Sequence, residues 1–117
     1  MLSFNQMVKY SQQQVDDIFY SLADHTRRDI LKLIIEKNPT VSEIAKPFDI
    51  SLPAISKHIK VLETNGLISR HKEGRIIRFK VIPEPIQEAL KRMQYFEKFW
   101  NIQLDNLEKF LTRKGGG

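Results

Sequence analysis

Ser51, Ser56, Lys57, His58 and Lys60 fall within ten residues of a 117-residue chain, in the stretch SLPAISKHIKVLETNGLI. A serine hydroxyl beside lysine or histidine can act as a nucleophile with its base, and a histidine can hold a metal. The same residue types can instead meet a surface, because short hydroxyls and long cations hydrogen-bond base edges and phosphates. Helical spacing separates these chemistries. At about 100° per residue, Ile55, Ile59 and Leu62 lie within about 40° of one direction and form an inward stripe. Pro53, Ser56, Lys57, Lys60 and Thr64 point roughly the other way, while His58 projects to the flank of the stripe, where a hydrogen-bonded structural role fits at least as well as a ligand role. The other histidines, His25 and His71, make no i, i+4 pair with it, and the chain has no cysteine. No catalytic residue, metal ligand or cofactor is therefore expected.

The charge has a definite location. Nineteen Lys and Arg against fourteen Asp and Glu give a formal +5. Residues 51–80 hold seven of the bases (Lys57, Lys60, Arg70, Lys72, Arg75, Arg78, Lys80) and two of the acids (Glu63, Glu73), so the remainder of the chain sums to zero. A patch of that sign suits an anionic partner such as double-stranded DNA.

Five helices and a hairpin must position this patch. Val15, Ile18, Phe19 and Leu22 form the apolar stripe of a helix starting near Ser11, and Phe4, Met7 and Val8 continue its pattern forward. Asp24 suits the N-cap of a second helix whose Ile30, Leu31, Ile34 and Ile35 are expected in the core, ending before Asn38-Pro39. Thr40-Val41-Ser42-Glu43 is a capping box for a brief helix with Val41, Ile44, Ala45 and Phe48 on its buried side. Ser51 caps the next helix, Pro53 sits harmlessly in its first turn, and Asn65-Gly66 closes it. Residues 67–81 then alternate as a hairpin around Glu73-Gly74, with Ile77, Phe79 and Val81 on one face and Ile76, Arg78 and Lys80 on the other. Pro83 and Pro85 open a last long helix, in which Ile86, Ala89, Met93, Phe96, Trp100, Leu104, Leu107 and Leu111 recur at three- and four-residue steps.

The result is mainly α with a small β-hairpin, in the order α-α-α-α-β-β-α. A short helix, turn and helix followed at once by a basic hairpin is a winged helix-turn-helix arrangement. The whole of 1–117 is read as one such domain. Ser51, Pro53, Ala54, Ser56, Lys57, His58 and Lys60 are the candidate recognition-helix contacts. Arg70, Lys72, Gly74, Arg75 and Arg78 are the candidate wing contacts, with Gly74 at the tight turn. The last helix carries more apolar surface than one small domain can cover, which predicts a homodimer.

The motifs resemble those of the ArsR/SmtB family of small winged-helix repressors. Leu22-Ala23-Asp24-His25-Thr26-Arg27-Arg28-Asp29-Ile30-Leu31 is similar to the family's opening "LADxTRRxIL". Ile55 to Leu62 with Gly66-Leu67-Ile68 is similar to its "VSxHLxxLxxAGL". The resemblance covers about residues 19–111 and implies a homodimer built by the first and last helices, at about 1–22 and 85–113. Phe19, Met93, Phe96, Phe99, Trp100, Leu104, Leu107 and Leu111 are its candidate interface residues. It also implies binding to an imperfect inverted repeat and repression of transcription. Many members sense metals through a cysteine motif on the short helix, but Val41-Ser42-Glu43-Ile44-Ala45-Lys46 has no thiol. Others use a last-helix site, yet residues 85–113 contain no histidine. The resemblance is therefore to the branch of the family without a metal motif.

Two alternatives to the DNA-binding repressor stay open: a winged helix that docks on an acidic protein, and a regulator that responds to an unidentified small ligand or metal. An enzyme is the weakest reading, since no nucleophile–base pair, carboxylate pair or Gly-rich phosphate loop has a workable spacing. No apolar run approaches the ~20 residues that span a bilayer, and the N-terminus lacks the apolar core of a signal peptide, so a cytoplasmic protein without a membrane partner is expected.

Overall fold

The computed structural model describes residues 9–116. Its elements are α1 (Gln12–Leu22), α2 (His25–Lys37), α3 (Val41–Ala45), α4 (Leu52–Thr64), β1 (Ile68–Glu73), β2 (Ile76–Val81) and α5 (Pro83–Gly116). The order is the expected one. The forward extension through Phe4, Met7 and Val8 lies outside the described residues.

Each boundary has a local chemical cause. Ser11 caps α1 with a complete capping box, its hydroxyl accepting from the Gln14 amide while the Gln14 side chain accepts from the Ser11 amide. Asp24 caps α2 through the Arg27 amide, Thr40 and Glu43 form the capping box of α3, and Ser51 caps α4 through the Ala54 amide. Each such cap satisfies an amide that the helix itself leaves without a partner. Asn38 ends α2 at a φ of 47° in the left-handed region, where Asn is one of the few residues tolerated besides Gly.

Ile18, Ile30, Leu31, Ile34, Ile44, Ile55, Ile59, Leu62, Leu67, Ile68, Phe79 and Ala89 make one buried cluster drawn from every element. Ile35 departs from expectation. It is 64% exposed, because α2 buries Ile30, Leu31 and Ile34 and the next residue is turned about 100° off that stripe.

The strands pair antiparallel from Ile68 opposite Val81 to Glu73 opposite Ile76. The base of this hairpin is fixed by the Ile82 amide donating to the Leu67 carbonyl (2.8 Å) and the Phe79 amide donating to the Pro39 carbonyl (3.0 Å). Ile77, Phe79 and Val81 do share a face, but burial along it stops at Phe79, and Ile76 and Ile77 at the far end are exposed because the hairpin projects beyond the core. Only the first third of α5 touches the body: Ala89 is buried and Ile86 packs on the core, whereas residues 93–113 are all exposed. The protomer is accordingly elongated, 70 × 40 × 23 Å.

Candidate nucleic-acid interface

The geometry of α4 follows from what holds it. Ile55, Ile59 and Leu62 are 0–2% exposed and anchor one side in the core, so Ser56, Lys57 and Lys60 must face solvent, as do Ser51 and Pro53 at its start. Ala54 and His58 are half-buried at the edges. The expected outward set is therefore gathered on one surface, with His58 set apart from it.

His58 belongs to a part-buried polar junction. Its Nδ1 lies 3.4 Å from Arg27 Nη1 and 3.9 Å from the Asp24 carboxylate, which ties the recognition helix to the start of α2. The Asp24 carboxyl is held below its ordinary range chiefly by the hydrogen bond it accepts from the Arg27 amide, with smaller contributions from His58 and the Arg27 guanidinium. Arg27 is the residue that helical periodicity does not reveal. Only 7% exposed, it donates from Nε to the Ser21 carbonyl (2.9 Å) and from Nη2 to the Tyr20 carbonyl (2.7 Å), and lies 4.9 Å over the Tyr20 ring. Arg28 adds a bond to the Leu22 carbonyl (2.9 Å). Two arginines of α2 thus donate to the last three carbonyls of α1, of which that of Tyr20 also accepts from the Ala23 amide, and complement its dipole. At the C-terminal end of α4, the Asn65 amide donates to Ser21 Oγ (2.8 Å) and to the Asp17 carbonyl (3.4 Å), so α1 holds that end while α2 holds the middle of the helix through His58.

The wing divides into two kinds of cation. Lys72 and Arg75 stand exposed at the tip, and neither makes an ion pair among the described residues. Gly74 and Arg75 form its two-residue turn, in which only Gly74 has positive φ (64°), the sign pattern of a type II′ turn. No atom lies within 4 Å of where a Gly74 Cβ would stand, so its glycine answers the backbone and not a close neighbour. Arg70 and Arg78 are occupied. Arg70 bonds Glu63 of α4 at 2.7 Å and covers the Phe79 ring at 5.3 Å, and Arg78 reaches Glu43 (3.3 Å), Glu73 (3.5 Å) and the Asn38 carbonyl (3.3 Å). They brace the wing against α4 and α3. The Glu43 carboxyl lies below its ordinary range, mainly through the Thr40 amide and hydroxyl and secondarily through Arg78.

Among the described residues, no group of three or more His, Asp or Glu stands close enough to hold a metal ion, and no helix is long and apolar enough to cross a membrane. A cleft of about 510 Å³ between α1, the end of α4 and the start of α5 is lined by Tyr10, Asp17, Asn65, Ile82 and Glu84, at the C-terminal end of the recognition helix. The Tyr10 hydroxyl there is pushed above its ordinary range by burial and by Glu84 and Glu88.

A capped helix held by its apolar side, with hydroxyls and free cations outward beside a basic two-stranded wing, defines a winged helix-turn-helix DNA-binding protein. The sequence profile of bacterial regulatory proteins of the arsR family matches residues 24–70. The chain is 33% identical over 82 residues to the transcriptional repressor SdpR of Bacillus subtilis, a match covering 70% of this chain and 91% of that protein. Among solved structures, a crystallised ArsR family transcriptional regulator superposes with a TM-score of 0.69 at 38% identity, covering 79% of this chain and 95% of the other. A homodimeric winged helix-turn-helix DNA-binding domain from Mycobacterium bovis shares the fold at 20% identity, with a TM-score of 0.59 over 90% of this chain and 93% of that one. The chain belongs to the ArsR family of DNA-binding transcriptional regulators.

Proposed function

We propose that the chain is a homodimeric repressor that binds an inverted-repeat operator, with α4 in the major groove and the wing along the adjacent backbone or minor groove. The observation that carries this reading is the free surface of Lys57, Lys60, Lys72 and Arg75, four exposed cations without an acidic partner among the described residues, all on the two elements that such a fold turns toward DNA. Ser51, Pro53, Ala54 and Ser56 supply the shorter contacts. Arg70, Arg78 and His58 act chiefly by holding wing and helix in place, and Gly74 shapes the tip.

Dimerisation is supported by α5, where Met93, Phe96, Phe99, Trp100, Leu104, Leu107 and Leu111 are each 44–58% exposed, and by the homodimeric state of the Mycobacterium bovis domain. Phe19 contributes less, since it packs against the protomer core. Two-fold symmetry then makes the operator an inverted repeat. SdpR is named a repressor, which supports that sign of regulation here. The working compartment is the cytoplasm, with the chromosome as partner, and the chain carries out no catalysis.

The test is a binding isotherm on a random-sequence duplex at about 50 and about 200 mM salt. Affinity is expected to fall by orders of magnitude as counterions compete for the phosphates. Salt-independent affinity would leave the acidic-protein reading in its place.

A further inference from the structure

Leu52 opens α4 with 55% of its surface exposed. Ile50, two residues earlier and 43% exposed, stands where an apolar residue staples a helix start by packing on the fourth helical position, here Ile55. Leu52 takes no part in the cap, which Ser51 and the Ala54 amide complete without it, and it lies outside the buried cluster. Any polar residue would form the same first turn without leaving a branched apolar group in water.

Its position on the helix gives that group a task. Leu52, Ser56 and Lys60 follow at four-residue steps, each turned about 40° from the last, so they form one row along the helix surface. The row runs from an isobutyl group at the N-terminal end through a hydroxyl to an ammonium. The N-terminal residues of a recognition helix are the ones that reach base edges. Along the major groove those edges present hydrogen-bonding groups and a single apolar one, the C5-methyl of thymine. An isobutyl group has neither donor nor acceptor and can discriminate only through that methyl. We propose that Leu52 is a specificity-determining residue that reads a thymine methyl in each operator half-site, with Pro53 beside it extending the same apolar surface.

This inference rests on the DNA-binding reading above, and the experiment separates the two. An operator is first selected from genomic fragments with the full chain. Each thymine of a half-site is then replaced in turn by deoxyuridine, which keeps every hydrogen-bonding group and lacks only the methyl. For the unmodified protein, one symmetry-related pair of positions is expected to lose about fourfold in affinity per half-site, roughly fifteenfold for both, the effect of burying one methyl-sized group. Leu52→Ala should bind thymine and uracil operators alike, near the unmodified protein's affinity for the uracil form, with an unchanged circular dichroism spectrum because the side chain is exposed. Leu52→Met, which keeps apolar reach, should restore part of the discrimination. Specific binding that is indifferent to every uracil overturns the assignment while leaving DNA binding intact, and so does a uracil penalty that persists in Leu52→Ala. If the chain prefers no sequence and shows no salt dependence, both readings fall together.

Discussion

Lys57 and Lys60 project from α4 and make no ion pair among the described residues, whereas Arg70 is held by Glu63 and Arg78 by Glu43 and Glu73. These cations are therefore unequal in what they can offer DNA: a free ammonium meets a phosphate or base edge at once, while a paired guanidinium must first leave its carboxylate. Lys57→Ala is expected to weaken binding to the operator by about 1–3 kcal/mol and to relax its preference over scrambled duplex. An equal loss on both duplexes would make Lys57 a phosphate contact. Arg27 works on the other side of the helix. Its buried guanidinium donates to two carbonyls of α1 and approaches His58, so Arg27→Ala is expected to cost about 2–3 kcal/mol of stability, read as a lower urea midpoint at unchanged slope. Arg27→Lys should not restore it, because a single ammonium cannot reproduce the planar fork that meets both carbonyls and covers Tyr20.

At the scale of elements, α5 serves two unlike ends. Its start packs Ile86 and Ala89 into the protomer, and its remainder presents Met93, Phe96 and Trp100, repeated eleven residues later as Leu104, Leu107 and Leu111. Eleven residues is close to three full turns, so the stripe runs nearly parallel to the helix axis and can meet a matching helix along its length. Phe99 and Trp100 add an edge-to-face pair at 5.4 Å within this surface. Leu104→Lys with Leu107→Lys should dissociate the proposed dimer in sedimentation, since it would place four charges in the joined interface. Residues 93–113 add nothing to the buried core, so the protomer should keep its circular dichroism spectrum. Loss of helical structure together with the dimer would show instead that the two are inseparable.

At the scale of the whole molecule, the elongated shape separates two surfaces: the body carries α4 and the wing, and the outer two thirds of α5 carries the apolar stripe. In the proposed dimer, pairing through that stripe would fix the distance between the two copies of α4. For both to enter the same face of B-DNA they must lie about 34 Å apart, one helical turn. A structure of the dimer checks this directly, and recognition helices that face each other across the two-fold axis would be incompatible with operator binding.

The sequence by itself determined nearly every boundary and which side of α4 faces solvent. Caps at Asp24, Thr40 and Ser51, the stop at Asn65-Gly66 and the turn at Gly74 are local chemistry, legible because a hydroxyl, a carboxylate or a missing Cβ acts on amides within a few residues. The outward face of α4 was legible for the same reason, since burying Ile55, Ile59 and Leu62 leaves Ser56, Lys57 and Lys60 only one direction. Three matters waited on tertiary structure. Ile35 and Ile77 continue apolar patterns past the edge of the core, and periodicity cannot say where a core ends. Arg70 and Arg78 look like Lys72 and Arg75 in sequence, and only the approach of Glu63 and Glu43 from other elements distinguishes a brace from a free cation. Arg27 and His58 are thirty-one residues apart, and what joins them is the packing of α2 against α4, a long-range contact that no local spacing encodes.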